Sequence, residues 1–228
     1  VTFNISGLSN ANFAALSTAV INSLTTAEIA QISTSQASAL TSTQVQALTT
    51  ASVAALSSSQ VAAFSASIIS SISLAQITAL TTATAYLTTA DITKLTTAQI
   101  QQLSTDQLSN LTTAEVNSLS STQVGAFTTA QTQALSSTQV GSLSVHALLA
   151  LVVSGLSTSQ EAALTTSEIA ALTTAQVQSL TTAELAALSS AQTQALTTAD
   201  VAALTTAQAS NLTTAVISNL TTAQAAAL

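Results

Sequence analysis

Apolar residues recur along this chain with a step of eight. Leu8, Leu16, Leu24, Ile32, Leu40, Leu48, Leu56, Phe64, Ile72 and Leu80 form the first run. One residue is lost in the stretch TTATAYL, and the step resumes from Leu87 to Leu143. A second irregularity, SVHALLALVVSGL, ends at Leu156, after which the step continues to Leu228. The consensus between these marks is T-T-A-Q-V-x-A-L, with Ser often replacing either Thr. A fixed short period over a whole chain is the signature of a repeat architecture.

Each repeat reads as a short helix with its own cap. The first Thr or Ser is an N-cap candidate, and Glu, Gln or Asp follows three residues later in most repeats, as at Glu28, Gln36, Gln60, Gln176 and Asp200. That is the capping-box spacing, in which the hydroxyl and the N3 side chain each satisfy an orphan backbone N–H. The remaining Ala, Gln, Val and Leu favour helix. Val at position 5 and Leu at position 8 lie three apart and share a face. A single continuous helix fails, because eight residues overshoot two turns by roughly 80° and the Leu positions would spiral around it. A β-solenoid is the alternative, since Thr and Val are β-formers, but the adjacent Ala-Leu breaks a period of two.

The expected fold is therefore all-α: a solenoid of short two-turn capped helices over residues 8–228, with irregularities near 81–87 and 144–156. One such helix cannot stand alone, so stability has to come from neighbouring repeats. From Thr165 onward position 4 reads Glu168, Gln176, Glu184, Gln192, Asp200, Gln208, a beat of 16 residues. This predicts a two-helix unit, most simply two helices per superhelical turn, with Glu168, Glu184 and Asp200 on one ridge. Residues 1–7 form a separate lead-in in which Val1, Phe3 and Ile5 alternate with polar residues, as in a strand.

Composition narrows the functional classes. Charged residues are 4% of the chain against about 25% in ordinary domains. The net charge is −7 and Lys94 is the only cation, a balance that argues against nucleic acid. Cys is absent, so no thiolate metal site or disulfide framework is expected. The most apolar run, Val145 to Leu156, has 12 residues, too few for a bilayer, which needs about 20. The chain starts at Val1 rather than Met, which reads as a processed protein or part of a longer one.

Candidate chemistry is sparse. His146 is the single His and sits in that apolar run. A zinc site lacks further His or Cys ligands, and no strand-turn-helix context surrounds a nucleophilic Ser. Six of the eight acids (Glu28, Asp91, Glu115, Glu168, Glu184, Asp200) occupy position 4, where capping and the helix dipole account for them. Weak Ca²⁺ binding along the Glu168, Glu184 and Asp200 ridge is the sharper alternative. Sequons at Asn4, Asn110, Asn211 and Asn219 are candidate glycan attachment sites, although Asn at position 7 creates one automatically. No catalytic, cofactor-binding or metal residue is expected, and the chain is not expected to be an enzyme.

The tandem LTTAQVQSLTTAELAAL resembles the Thr/Ala-rich repeat regions of large secreted bacterial surface proteins: adhesins, filament-forming proteins and S-layer-like proteins. The resemblance covers nearly the whole chain from Leu8. It implies an extracellular or cell-surface structural role, as a filament, sheath, surface layer or adhesin stalk, and carries over no site residues. The closing TTAQAAAL, a turn-sized apolar end, suggests pairing with another copy to form a homo-oligomer or polymer. The alternative is a binding module whose Thr rows recognise ice, polysaccharide or another lattice.

Overall fold

A computed structural model describes residues 5–80, 87–151 and 155–228. Among these residues there are twenty-six α-helices, each of four to six residues, and no strand. The all-helical repeat fold is the one expected from the eight-residue phrase. The helices proper fall short of two turns, because each repeat spends two residues on a corner. At Leu40 and Thr41, for example, both residues are extended (φ −63°, ψ 142° and φ −87°, ψ 159°). The chain thus turns with no positive φ among the described residues, which is why so few Gly are needed.

Two compact bodies are present, residues Val1–Ser118 and Leu119–Leu228. In the first, α1 (Asn10–Ala14) packs on α4 (Thr34–Ala39), and α4 on α7 (Ser58–Ala62). The same skip joins α2 (Thr18–Ser23) to α5 (Ser42–Ala47), and α3 (Thr26–Ile29) to α6 (Thr50–Ala54) and then α9 (Leu74–Ala79). Each helix therefore stacks on the one three repeats before it. In the second body α18 (Thr158–Glu161) packs on α21 (Thr182–Ala187), and α21 on α24 (Thr206–Ser210). Beside them α19 (Thr166–Ala171), α22 (Ser190–Ala195) and α25 (Thr214–Asn219) form a second face. The third face is α20 (Thr174–Ser179), α23 (Thr198–Ala202) and α26 (Thr222–Ala225).

A turn is thus three repeats, which corrects the expectation of two helices per turn. The 16-residue beat is a property of the sequence, not the stacking period. Three sides leave an interior that positions 5 and 8 fill. Ile21, Ile29, Val45, Val61, Ile77, Ile100 and Val177 at position 5 are fully buried, and the position-8 residues from Leu24 to Leu196 nearly so. With two helices per turn the facing side chains would have closed a slab. With three they meet around an axis, and β-branched Ile and Val suit the narrow centre. Gly125 shows how close the stacking is: a Cβ there would lie 3.3 Å from the Ala150 carbonyl oxygen of the helix above, α17 (Val145–Ala150).

Ile5 is fully buried, and the rest of the expected strand at residues 1–4 lies outside the described residues. So do residues 81–86 of the first irregularity and 152–154 of the second.

Candidate functional site: the amide ladder and a buried carboxyl

The capping boxes form as the spacing predicts. At α9 the Gln76 N–H donates to Ser73 Oγ (3.3 Å), and the Ser73 N–H donates to Gln76 Oε1 (3.0 Å). The box uses only one end of the amide. Gln76 Nε2, buried beneath the next corner, donates to the carbonyls of Val45 and Leu48, both at 2.8 Å, on the turn before. Those carbonyls belong to a helix C-terminus, where four C=O groups lack partners within the helix. One side chain thus caps the start of its own helix and the end of another.

The same bridge runs along both bodies. Gln36 reaches Ile5 and Leu8, Gln44 reaches Ala14 and Leu16, and Gln60 reaches Ile29 and Ile32. In the second body Gln192 reaches Glu161 and Leu164, Gln208 reaches Val177 and Leu180, and Gln224 reaches Thr193 and Leu196. In unbroken stretches the position-8 carbonyl lies 28 residues back. Across the TTATAYL stretch it lies 27 back, as for Gln107 and Leu80. Across the second irregularity it lies 25 back, as for Gln160 and Leu135. The lost residues are absorbed within one turn, and the capping register is kept. Gln at position 6 adds a weaker upward link, from Gln46 to the Ser71 carbonyl and from Gln178 to that of Ala203. The first three capped helices carry Asn12, Val20 and Glu28 at position 4, so the Gln series starts at Gln36, with Leu8 beneath it.

The position-4 acids act as caps. Glu28, Asp91, Glu168, Glu184 and Asp200 each complete a box, and Glu115 exchanges the same pair of bonds with Thr112. A carboxylate accepts but cannot donate, so these residues cap without bridging. Glu168, Glu184 and Asp200 lie on α19, α21 and α23, which belong to three different faces. The expected ridge does not exist: residues 16 apart fall on different sides when a turn takes 24. Two columns of the second body instead alternate amide and acid from Gln160 and Gln176 onward: Gln160, Glu184, Gln208 and Gln176, Asp200, Gln224. Among the described residues no group of three or more His, Cys, Asp and Glu side chains could hold a metal ion. His146 is exposed on α17. Asn110 and Asn211 are exposed and Asn219 is half-buried, while Asn4 lies outside the described residues. The hydroxyls of their sequons, Thr112, Thr213 and Thr221, each accept a capping N–H.

Position 5 holds the exceptions. Thr132 and Thr193 replace Val there, fully buried, with hydroxyls that meet no partner among the described residues. Glu161 is 2% exposed, and neither carboxyl oxygen has a hydrogen-bond partner among the described residues. Burial, with the nearby Glu184 adding to it, pushes its carboxyl from the ordinary 4.5 up to about 8. The signal was present in the sequence: Glu161 is the one acid at position 5, one place after a Gln that already supplies the box.

The profile of the ALTTAQ repeat matches residues 13–50, 84–121, 169–206 and 179–214, together more than half of the chain. The chain belongs to the ALTTAQ repeat family. The letters of that repeat spell the corner of the fold: a C-terminal Ala, the buried Leu, the Thr cap, a first-turn Thr, an exposed Ala and the bridging Gln. No curated protein and no solved structure matches the chain. Among the described residues no helix is long and apolar enough to cross a membrane.

Proposed function

We propose that this ALTTAQ-repeat chain is an extracellular structural protein, a solenoid that self-assembles into a filament, sheath or surface layer, or forms an adhesin stalk. The observation that carries the reading is the stacking itself: turn after turn presents the same short capped helices and is tied to the turn before by position-4 amides such as Gln76 and Gln208. A second copy, whose helices carry the same Leu and Val spacing, offers surfaces that match those of the first. Association through such surfaces buries apolar area and builds open chains of copies when the contact does not close on itself. Electron microscopy and sedimentation of the purified chain test it. Concentration-dependent oligomers or fibres are expected. Monodisperse monomers at high concentration would contradict assembly.

A second reading rests on a different observation. Thr174, Thr198 and Thr222 are exposed at the same point of α20, α23 and α26, so they form a row with one hydroxyl per turn. Such a row suits a flat lattice of ice or polysaccharide. The first Thr of each pair is committed to its cap, which leaves a single rank of hydroxyls per face. Thermal hysteresis and glycan pull-down, both negative, would eliminate this reading.

A further inference from the structure

We propose that Glu161 is a pH-sensitive latch in the second body: uncharged, it lets α18 pack between its neighbours in the column, and ionised, it loosens that packing and opens the turn.

The argument starts from the place of the side chain. Position 5 points into the interior of the three-sided turn. On the column to which α18 belongs, the residues at this position below and above are Val140, on α16 (Ser137–Val140), and Leu185, on α21. Both are buried, so Glu161 stands where an aliphatic side chain would complete the core. Among the described residues no hydrogen bond reaches either of its oxygens. Its own backbone carbonyl is held by Gln192 from the turn above, at 2.8 Å. The backbone is therefore pinned while the carboxyl is unsupported. An ionised carboxylate so placed has neither cation nor donor to offset the loss of water, and it neutralises or leaves the interior.

The surrounding charges offer no compensation. Of the helices packed on α18, α16 carries no titratable side chain and α21 carries only Glu184, a like charge. The helices adjacent in sequence carry His146, exposed on α17, and Glu168, engaged in its box with Thr165 on α19. The lone Lys94 belongs to the first body.

The sign follows from where the proton is held. The folded form keeps it up to about pH 8, the unfolded form only to about 4.5. This contribution to stability is fully present below pH 4.5, falls by up to about tenfold in the folded-to-unfolded ratio per pH unit between those values, and levels off above pH 8. Because stability in a repeat array is set by each repeat and its neighbours, the opening centres on α16, α18 and α21.

The test is urea unfolding of the full chain, followed by circular dichroism at pH 5 to 9.5, for wild type, Glu161→Val, Glu161→Gln and His146→Asn. The wild-type and His146→Asn midpoints should fall from pH 5 to 8 and then flatten. Glu161→Val should remove the fall and raise the midpoint at pH 8. Glu161→Gln should remove the fall without filling the site as Val does. Hydrogen exchange, corrected for its intrinsic pH dependence, should show protection lost first in α16, α18 and α21. A wild-type midpoint independent of pH, the same slope in both Glu161 variants, or a slope abolished by His146→Asn would overturn the proposal.

Discussion

At the scale of one residue, the molecule depends on an amide having two ends. The carbonyl oxygen of a position-4 Gln accepts from the cap N–H, and its nitrogen donates to two carbonyls on the turn before. The two functions differ in strength. Ser73→Ala removes the N-cap of α9 and should cost about 1 kcal/mol. Gln76→Ala removes the back-bond and both bridges, three hydrogen bonds at a buried site, and should cost about 2–4 kcal/mol. Urea midpoints of the two variants check the order. Equal losses would mean that the bridge to Val45 and Leu48 contributes nothing. The capping half of this role was legible in the sequence, because it joins residues three apart. The bridging half joins residues 28 and 31 apart, a spacing that no local pattern announces. A clue existed in the preference for Gln over Glu, since a carboxylate serves the box as well or better but cannot donate.

At the scale of the element, each helix is too short to persist alone and is bounded by residues that turn the chain without strain. The cap Thr173 is extended, with φ −79° and ψ 154°, and Thr174 follows as the first helical residue. An extended residue is what Pro requires before it, and the N–H at the first helical position has no partner within the helix. Thr174→Pro should therefore be tolerated and should stabilise by about 0.4–1 kcal/mol by restricting the unfolded chain. Gln178→Pro, four residues later, removes a helical N–H and should cost about 3 kcal/mol or more. Thermal unfolding of the pair separates the two positions. Destabilisation by Thr174→Pro comparable to that of Gln178→Pro would show that the helix start was misplaced. Helix type and boundaries followed from cap spacing and the Leu step. The shortened helices did not, because extending both Leu and Thr at the corner answers the packing of three sides.

At the scale of the molecule, two numbers compete: a sequence beat of 16 and a turn of 24. The beat is visible at Glu168, Gln176 and Glu184, and it invited a turn of two helices. The contacts of α18 with α21, and of α19 with α22, assign three. Nothing in residue identity distinguishes these, since both place Leu and Val inside. The choice is made by how short capped helices close around a common axis, which is a property of geometry. One consequence of an even beat on an odd-sided turn is that, where the beat is clear, amide and acid alternate up a column, as in Gln160, Glu184, Gln208 and in Gln176, Asp200, Gln224. In the first body, by contrast, the position-4 carboxylates Asp91 and Glu115 lie 24 residues apart on the stacked helices α10 (Thr89–Ile92) and α13 (Thr113–Ser118). Glu161 stands outside both arrangements because it sits at position 5.

The three-sided turn is the claim on which the ladder, the alternation and the latch all rest. The absence of Cys allows it to be tested by placing pyrene on introduced cysteines at exposed position-3 alanines. Ala175 and Ala199 are 24 residues apart on α20 and α23, which stack, while Ala183 and Ala199 are 16 apart on α21 and α23, which belong to different faces. Excimer fluorescence is expected from the labelled Ala175→Cys/Ala199→Cys chain and not from Ala183→Cys/Ala199→Cys. Excimer from the second pair and none from the first would establish two helices per turn and contradict this account.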